Sequence, residues 1–302
     1  MLAVTVAAVA VVTTLRGGDS GLTVVADAVA VVDPESEELV GSVRVAAQPA
    51  AVAASEQDVW VTSFREGTVV RVDATTLRVR GRLRLTEPPG GIAAGAGSLW
   101  VRTEEAVLRI DPTRGRVAAT IPLPASAGLA VAAGGGDVWA VAGSRLYRID
   151  PARNRIAATI DLAPQRLVGV RFAEGAVWVN GPRRPAIVRV AAESHARRQY
   201  RVAGRVGSWD AGFGSLWVGK PEQAAVARID IATGREVASI AVGPDPRGVA
   251  AGADAVWVAA DDGLWRIDPA TNGARHLDLH GAPAASLAAP FPAAGRIWVT
   301  VW

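Results

Sequence analysis

Arginine and aspartate supply most of the side chains in this chain that could do chemistry. Of its 302 residues, 32 are Lys or Arg, 29 are Asp or Glu, three are His and none is Cys. Without cysteine there is no disulfide, no thiolate metal site and no thiol nucleophile, and the redox compartment is left undetermined. Two sets of charges stand out when positions are counted from a recurring tryptophan. Twelve residues before Trp178 and Trp217 stand Arg166 and Arg205, and Arg247 lies ten residues before Trp257. Gln48, Pro88 and Ala127 hold the same place before three other tryptophans, so the arginines gather on one side. Guanidinium groups grip carboxylate or phosphate through paired donors, which makes Arg166, Arg205 and Arg247 a candidate site for a small anion or an acidic side chain of a partner. The competing reading folds each arginine back onto loop carbonyls or onto Asp245. Seven residues before the tryptophans, Ala53, Ala93, Ala132 and Ala250 give way to Arg171 and Asp210 in two consecutive copies. Opposite charges at equivalent sites predict a partly buried inter-blade pair; the bland alternative has both in water without touching.

Other chemistry is sparse. The sequence contains no Gly-rich phosphate loop, HExxH, GxSxG or EF-hand pattern, and no cofactor or metal site is expected from it. His195 falls in a turn, His276 in an outer strand, and His280 near a loop that could reach a channel mouth, but alone. Asp261-Asp262 and Glu104-Glu105 are acidic pairs in loops, better read as solvated than as cation ligands. Net charge is +3, with Lys220 the only lysine and the arginines almost balanced by acids. No clustered basic face of the kind that binds nucleic acid emerges.

The elements that must position these residues follow from a repeat. Trp60, Trp100, Trp139, Trp178, Trp217, Trp257 and Trp298 recur at intervals of 40, 39, 39, 39, 40 and 41. A second marker, Arg-Val/Ile-Asp, recurs at 71–73, 109–111, 148–150, 228–230 and 266–268, with degenerate copies at 31–33 and 189–191. Within residues 91–123, four short apolar runs are separated by Gly, Pro, Asp or charge, which reads as four strands per repeat. A period near 40 with four strands predicts an all-β protein, a seven-bladed β-propeller with four-stranded antiparallel blades. Small residues nine positions before the first six tryptophans (Ala51, Gly91, Ala130, Gly169, Ser208 and Gly248) fit inner strands crowded around an axis. In the turn after the third strand, Asp faces backbone N–H groups, and Gly115, Asn154, Gly234 and Asn272 suit a left-handed position. The arginine two residues before each Asp shares its strand face, which predicts an Arg–Asp pair.

The two ends complete one blade between them. Residues 24–32 and 39–46 match third and fourth strands, and residues 286–289 and 296–301 match first and second strands. Sharing a blade closes the ring without leaving a sheet edge open. Ahead of the propeller (22–302), residues 1–21 hold an apolar run at 2–15 and a polar, glycine-containing linker at 16–21. That run fits the h-region of an export signal or the end of a membrane anchor; an extra buried strand is the alternative.

With VWV, RIDP and a fourth strand such as VAATIPL in hand, the pattern from residue 24 to 302 resembles the YVTN-type β-propeller repeat. It is also similar to the wider streptogramin lyase-like propellers. The resemblance implies bacterial secreted or surface propellers, or propellers placed after a single membrane span in sensors and regulators. The lyases it brings in use histidine and glutamate with a divalent metal at one mouth, and no such convergence is visible here. The expected role is therefore a non-enzymatic, extracytoplasmic ligand- or protein-binding module, monomeric, with an unknown protein or small anion as partner. A lyase acting at the channel mouth and a pure scaffold are the alternatives. Residues 182–210 depart from the repeat: Arg183, Arg184, Arg189, Arg197, Arg198, Arg201 and Arg205 carry only Glu193 against them before Asp210 ends the stretch. Edge protection by charge explains this; a basic flank facing a wall polymer, lipid head group or acidic protein is the sharper alternative.

Overall fold

The strands that carry the seven tryptophans are apolar on both faces around the tryptophan and buried along almost their whole length, the pattern of strands covered on both faces. The computed structural model describes residues 24–55, 57–164, 166–182, 186–277, 279 and 287–302. The expected apolar segment and linker, Arg183, Arg184 and His280 lie outside these residues. Seven four-stranded antiparallel sheets form the ring. Six run consecutively, from inner strands such as Pro49–Ala54 and Gly248–Gly252 to outer strands such as Val79–Arg84 and Ala274–Leu277. The seventh joins Leu287–Ala293 and Arg296–Val301 to Ala28–Val32 and Leu39–Arg44. Its central register sets Val31 opposite Trp298 and Ala30 opposite Val299. The expected fold and shared closing blade are thus present. Antiparallel order puts the loops between blades on one face, called upper here, and the Asp turns on the other, lower face.

The core lies between blades, and each tryptophan bridges two of them. Trp60 packs with Val101 and Ile110 of the next blade, Trp139 with Val177, and Trp298 with Val59 and Val61 across the closure. All seven are at most 1% exposed. Six indole N–H groups donate to the carbonyl five residues upstream at 3.0–3.3 Å. Trp60 donates instead to the Ser55 hydroxyl at 3.1 Å. A buried indole with its one donor satisfied gives its full apolar area to the core. The tight axis explains the small residues of the inner strands: a Cβ on Gly248 would sit 1.9 Å from the Ala288 carbonyl oxygen, and one on Gly91 2.9 Å from that of Leu129.

On the lower face the Asp of each turn accepts backbone N–H groups two and three residues on, as Asp73 does from Thr75 and Thr76 at 2.9 and 2.6 Å. These amides hold the carboxyls of Asp33, Asp73, Asp111 and Asp268 below the ordinary carboxylate range. Gly115, Asn154, Gly234 and Asn272 all have positive φ, as the turn requires. The expected pairing of each turn Asp with the arginine two residues before it is corrected by the structure. The carboxylate is committed to its own turn, so the arginine crosses to the tryptophan strand. Arg71 bonds Asp58 at 2.6 Å and Arg148 bonds Asp137 at 2.8 Å. Arg109 and Arg228 donate Nε to the hydroxyls of Ser98 and Ser215 at 2.8 and 3.0 Å. Five guanidinium groups, from Arg71 to Arg228, lie 4.9–5.9 Å above their tryptophan rings, a cation–π arrangement.

Four charged side chains are buried among the described residues, Asp58, Asp73, Arg102 and Lys220, and one of them has no measurable exposure. Arg102, two residues after Trp100, is fully buried. Its Nη1 donates to the carbonyls of Thr103, of Glu104 at 3.0 Å and of Ala106 at 3.1 Å, and its Nη2 to that of Pro124 at 3.3 Å. Burial pulls its pKa below the usual guanidinium value. It clamps an upper loop to the chain that leads into the next blade.

Candidate functional site

Seven inner strands leave a channel along the axis. The residue opposite each tryptophan forms one layer of its wall: Ala53, Ala93, Ala132, Arg171, Asp210, Ala250 and Phe291. Alanine leaves room, and a cavity of about 600 Å³ opens there. Arg171 and Asp210 are the charged side chains that line it, among otherwise small and apolar residues. Such a cavity, concave and mostly apolar with a few polar groups, is the form that binds small ligands.

Arg171 and Asp210 do not touch. No ion pair within 4.0 Å joins them, because each is held by backbone. Arg171 donates Nη1 to the Val170 carbonyl at 3.1 Å, and the rest of its guanidinium is exposed to the lumen. Asp210 accepts from Ala211 N at 2.9 Å and, across the blade junction, from Ala251 N at 3.0 Å. Ser208 makes the same crossing, accepting from Val249 N at 3.0 Å. The Asp210 carboxyl meets the lumen, but protein surrounds that lumen on all sides. Desolvation therefore pushes its pKa up, against the field of Arg171 and the two amides.

The sign of that shift fixes a pH dependence. The folded chain keeps the Asp210 proton to higher pH than the unfolded chain, so stability from this group is present below the ordinary Asp pKa, about 3.9, and is lost as pH rises through the raised value. The variant Asp210→Asn lacks this titration. Its denaturant midpoint should therefore gain on the parent's as pH rises from about 4 toward neutrality, by about 1.4 kcal/mol per unit of displacement. A difference that stays flat over this range would contradict the assignment. Arg171→Met should weaken the parent at neutral pH and have little effect beside Asp210→Asn; zero coupling in that cycle would show that the two charges act independently.

Arg166, Arg205 and Arg247 come from three successive loops of the upper face, and none of them lines the channel cavity. Arg166 and Arg205 are exposed, and their side chains make no hydrogen bond or ion pair among the described residues. Arg247 is engaged: Nε bonds Asp245 at 2.9 Å and Nη2 bonds Asp261 at 2.5 Å. The acidic pair expected to be solvated is thus in use, since Asp262 also accepts from Trp265 Nε1 at 3.0 Å. Asp261 follows the tryptophan strand that pairs with the inner strand Arg247 enters, and Asp261 N donates to the Pro244 carbonyl at 2.9 Å, so strand pairing, not spacing along the chain, brings the two together. On the flank, Arg197 and Arg201 are exposed on the outer strand Arg197–Arg201, while Arg198 covers Tyr200 at 5.1 Å and donates to the Ile231 carbonyl. Of the histidines, His195 occupies a lower-face turn, and His276 stacks on Trp265 with its Nε2 2.9 Å from the Asp262 carbonyl. Among the described residues, no three His, Asp or Glu side chains converge as a metal site would require.

No protein-family model matches the sequence, and no curated protein matches it. Solved structures do. The hydrazine synthase of Kuenenia stuttgartiensis superposes with a TM-score of 0.68 at 15% identity, over 82% of this chain and 88% of that one. The computationally designed Ika8 protein gives 0.64 at 15% identity, over 84% and 97%. The WD40 domain of Neurospora crassa Pan2 gives 0.65 at 7% identity, over 83% and 89%. Identities this low carry the β-propeller fold and no chemistry.

Proposed function

We propose that this chain is a non-enzymatic binding module of the YVTN type, working outside the cytoplasm. It takes a small anion, or an acidic side chain of a partner protein, at the upper mouth of its channel. The observation that carries this reading is the exposure of Arg166 and Arg205 on successive upper loops, beside a channel whose alanine layer is interrupted by Arg171, Asp210 and Phe291. Arg166 and Arg205 flank the approach with uncommitted charge, and Arg247 joins them if an anion displaces it from Asp245 or Asp261. A concave mouth of one sign concentrates the field and draws an anion inward. Asp210 opposes an anion while ionised, and its raised pKa eases uptake of a proton as the anion binds. The apolar run at 2–15 and the linker after it support export or a membrane anchor.

Isothermal titration with citrate and with inorganic phosphate tests the site. Binding should be saturable and weaken with salt. It should disappear in the triple variant Arg166→Ala, Arg205→Ala, Arg247→Ala. Binding that survives in the triple variant, or no heat with either anion at low salt, overturns the reading. A reporter enzyme active only outside the cytoplasm, fused to the C-terminus, tests location separately.

A further inference from the structure

Each turn of the lower face has a left-handed residue at its fifth position: Glu37, Leu77, Gly115, Asn154, His195, Gly234 and Asn272. The preceding blade's third strand reaches toward that place. Arg109 Nη1 donates to the Pro151 carbonyl and to Asn154 Oδ1, both at 3.0 Å. Arg228 Nη1 repeats this with the Pro269 carbonyl at 2.6 Å and Asn272 Oδ1 at 2.8 Å. Arg266 faces Glu37 at 3.7 Å, and where the arginine is replaced by Val31 the fifth residue is apolar too, Leu77, in the same cluster. Opposite Gly234, Arg198 and Tyr200 fill the space and bond the Ile231 carbonyl. Arg148 is held by Asp137.

The junction between residues 49–84 and 92–122 is different. Its fifth turn residue is Gly115, and a Cβ there would meet nothing within 4 Å. Arg71 Nη1 keeps only the Thr113 carbonyl, at 3.5 Å, and its buried Nε has no partner. Beside it a groove of about 660 Å³ is lined by Arg71, Asp58, Ser55, Gln57, Ser98 and Thr113. The acceptor that Asn154 and Asn272 supply elsewhere is missing, and space for one is open.

We propose that this groove binds the carboxamide side chain of an Asn or Gln from a partner polypeptide, which completes the Arg71 latch as Asn154 and Asn272 complete theirs. The class follows from charge. Arg71 is already neutralised by Asp58, and Arg80 joins Asp58 to Asp73, so two bases face two acids. A carboxylate would add an uncompensated charge beside Asp58. A carboxamide offers Nη1 an oxygen and returns two donors to the oxygens of Ser55 and Gln57. The groove is several times the size of one carboxamide, which suits a side chain delivered with its backbone. It lies on the face opposite the arginines of the channel mouth and stands independently of that site.

The test titrates ¹⁵N-labelled protein with N-acetyl-asparagine amide while the Arg71 Nε–H and Gly115 amide signals are followed. N-acetyl-alanine amide and acetate serve as comparison ligands. The asparagine compound should give saturable shifts of both signals, with the alanine compound roughly tenfold weaker and acetate weaker still. Gly115→Asn supplies the carboxamide from within, at a φ of +59° where Asn154 and Asn272 have 51° and 61°. It should abolish the shifts and raise the melting temperature. Arg71→Met, which keeps an apolar stem beside Trp60, should abolish the shift of the Gly115 amide. Equal binding of the alanine compound, preferential binding of acetate, absence of saturation, or shifts that persist in Gly115→Asn would each overturn the proposal.

Discussion

A chain ending at Arg296 should show no cooperative unfolding transition. The six residues removed include Ile297, Trp298, Val299 and Val301, none of them measurably exposed. Losing one buried tryptophan costs about 3–5 kcal/mol, and each large aliphatic adds about 1.5–3. The sum reaches the whole stability of an ordinary domain, about 5–15 kcal/mol. The loss is not local. Trp298 belongs to the cluster that contains Val59 and Val61 of the next blade, and Ala28–Val32 would lose its partner along its full length. Both neighbours of the gap would expose apolar faces, so the ring should fail as a unit. Calorimetry of the truncated chain beside the intact one decides this; a truncated chain that melts like the parent would mean that closure contributes little.

Arg102→Met should be the most damaging single substitution of a charged residue, at about 2–4 kcal/mol in denaturant unfolding. Methionine keeps much of the volume, so the cost reads the hydrogen bonds. The carbonyls of Thr103 and Pro124 lose their donor, whereas Ala106 keeps the N–H of Thr103 at 2.9 Å. Part of that cost is offset because the variant buries no charge, and the guanidinium's lowered pKa shows that its burial is unfavourable in itself. Arg102→Lys should fall between the two, since an ammonium cannot span the fork from Ala106 to Pro124. A Met variant as stable as the parent would mean that desolvation cancels the clamp.

The tryptophan period made the blades and their closure legible, because one large side chain per blade has to fill one inter-blade space. Inner glycines and alanines were legible for the same steric reason. The lower-face arginines were harder. Spacing places Arg71 and Asp73 on one strand face, yet it does not reveal that Asp73 turns to its own amides, nor that Asp58 across the ladder is the free acceptor. The acids and hydroxyls two residues before the tryptophans, Asp58, Ser98, Asp137 and Ser215, are the signal that would have shown it. The pairing of Arg109 with Asn154 depends on how neighbouring blades stack, which no local pattern encodes. At the channel, position-by-position comparison singled out Arg171 and Asp210, but the backbone groups that hold each side chain, which spacing does not reveal, keep them apart.

The shared blade also has a consequence in time. Ala28–Val32 leaves the ribosome before the six blades that follow it, and Val299, the partner of Ala30, leaves after them. About 270 residues must be made in between, which at about 5–20 residues per second takes tens of seconds. Throughout that interval five consecutive apolar residues, AVAVV, have one edge with nothing to pair against. Contacts this distant in sequence also slow folding once synthesis is complete. The length of chain between Ala30 and Val299 therefore sets how long that edge stays open to mispairing before the ring can close.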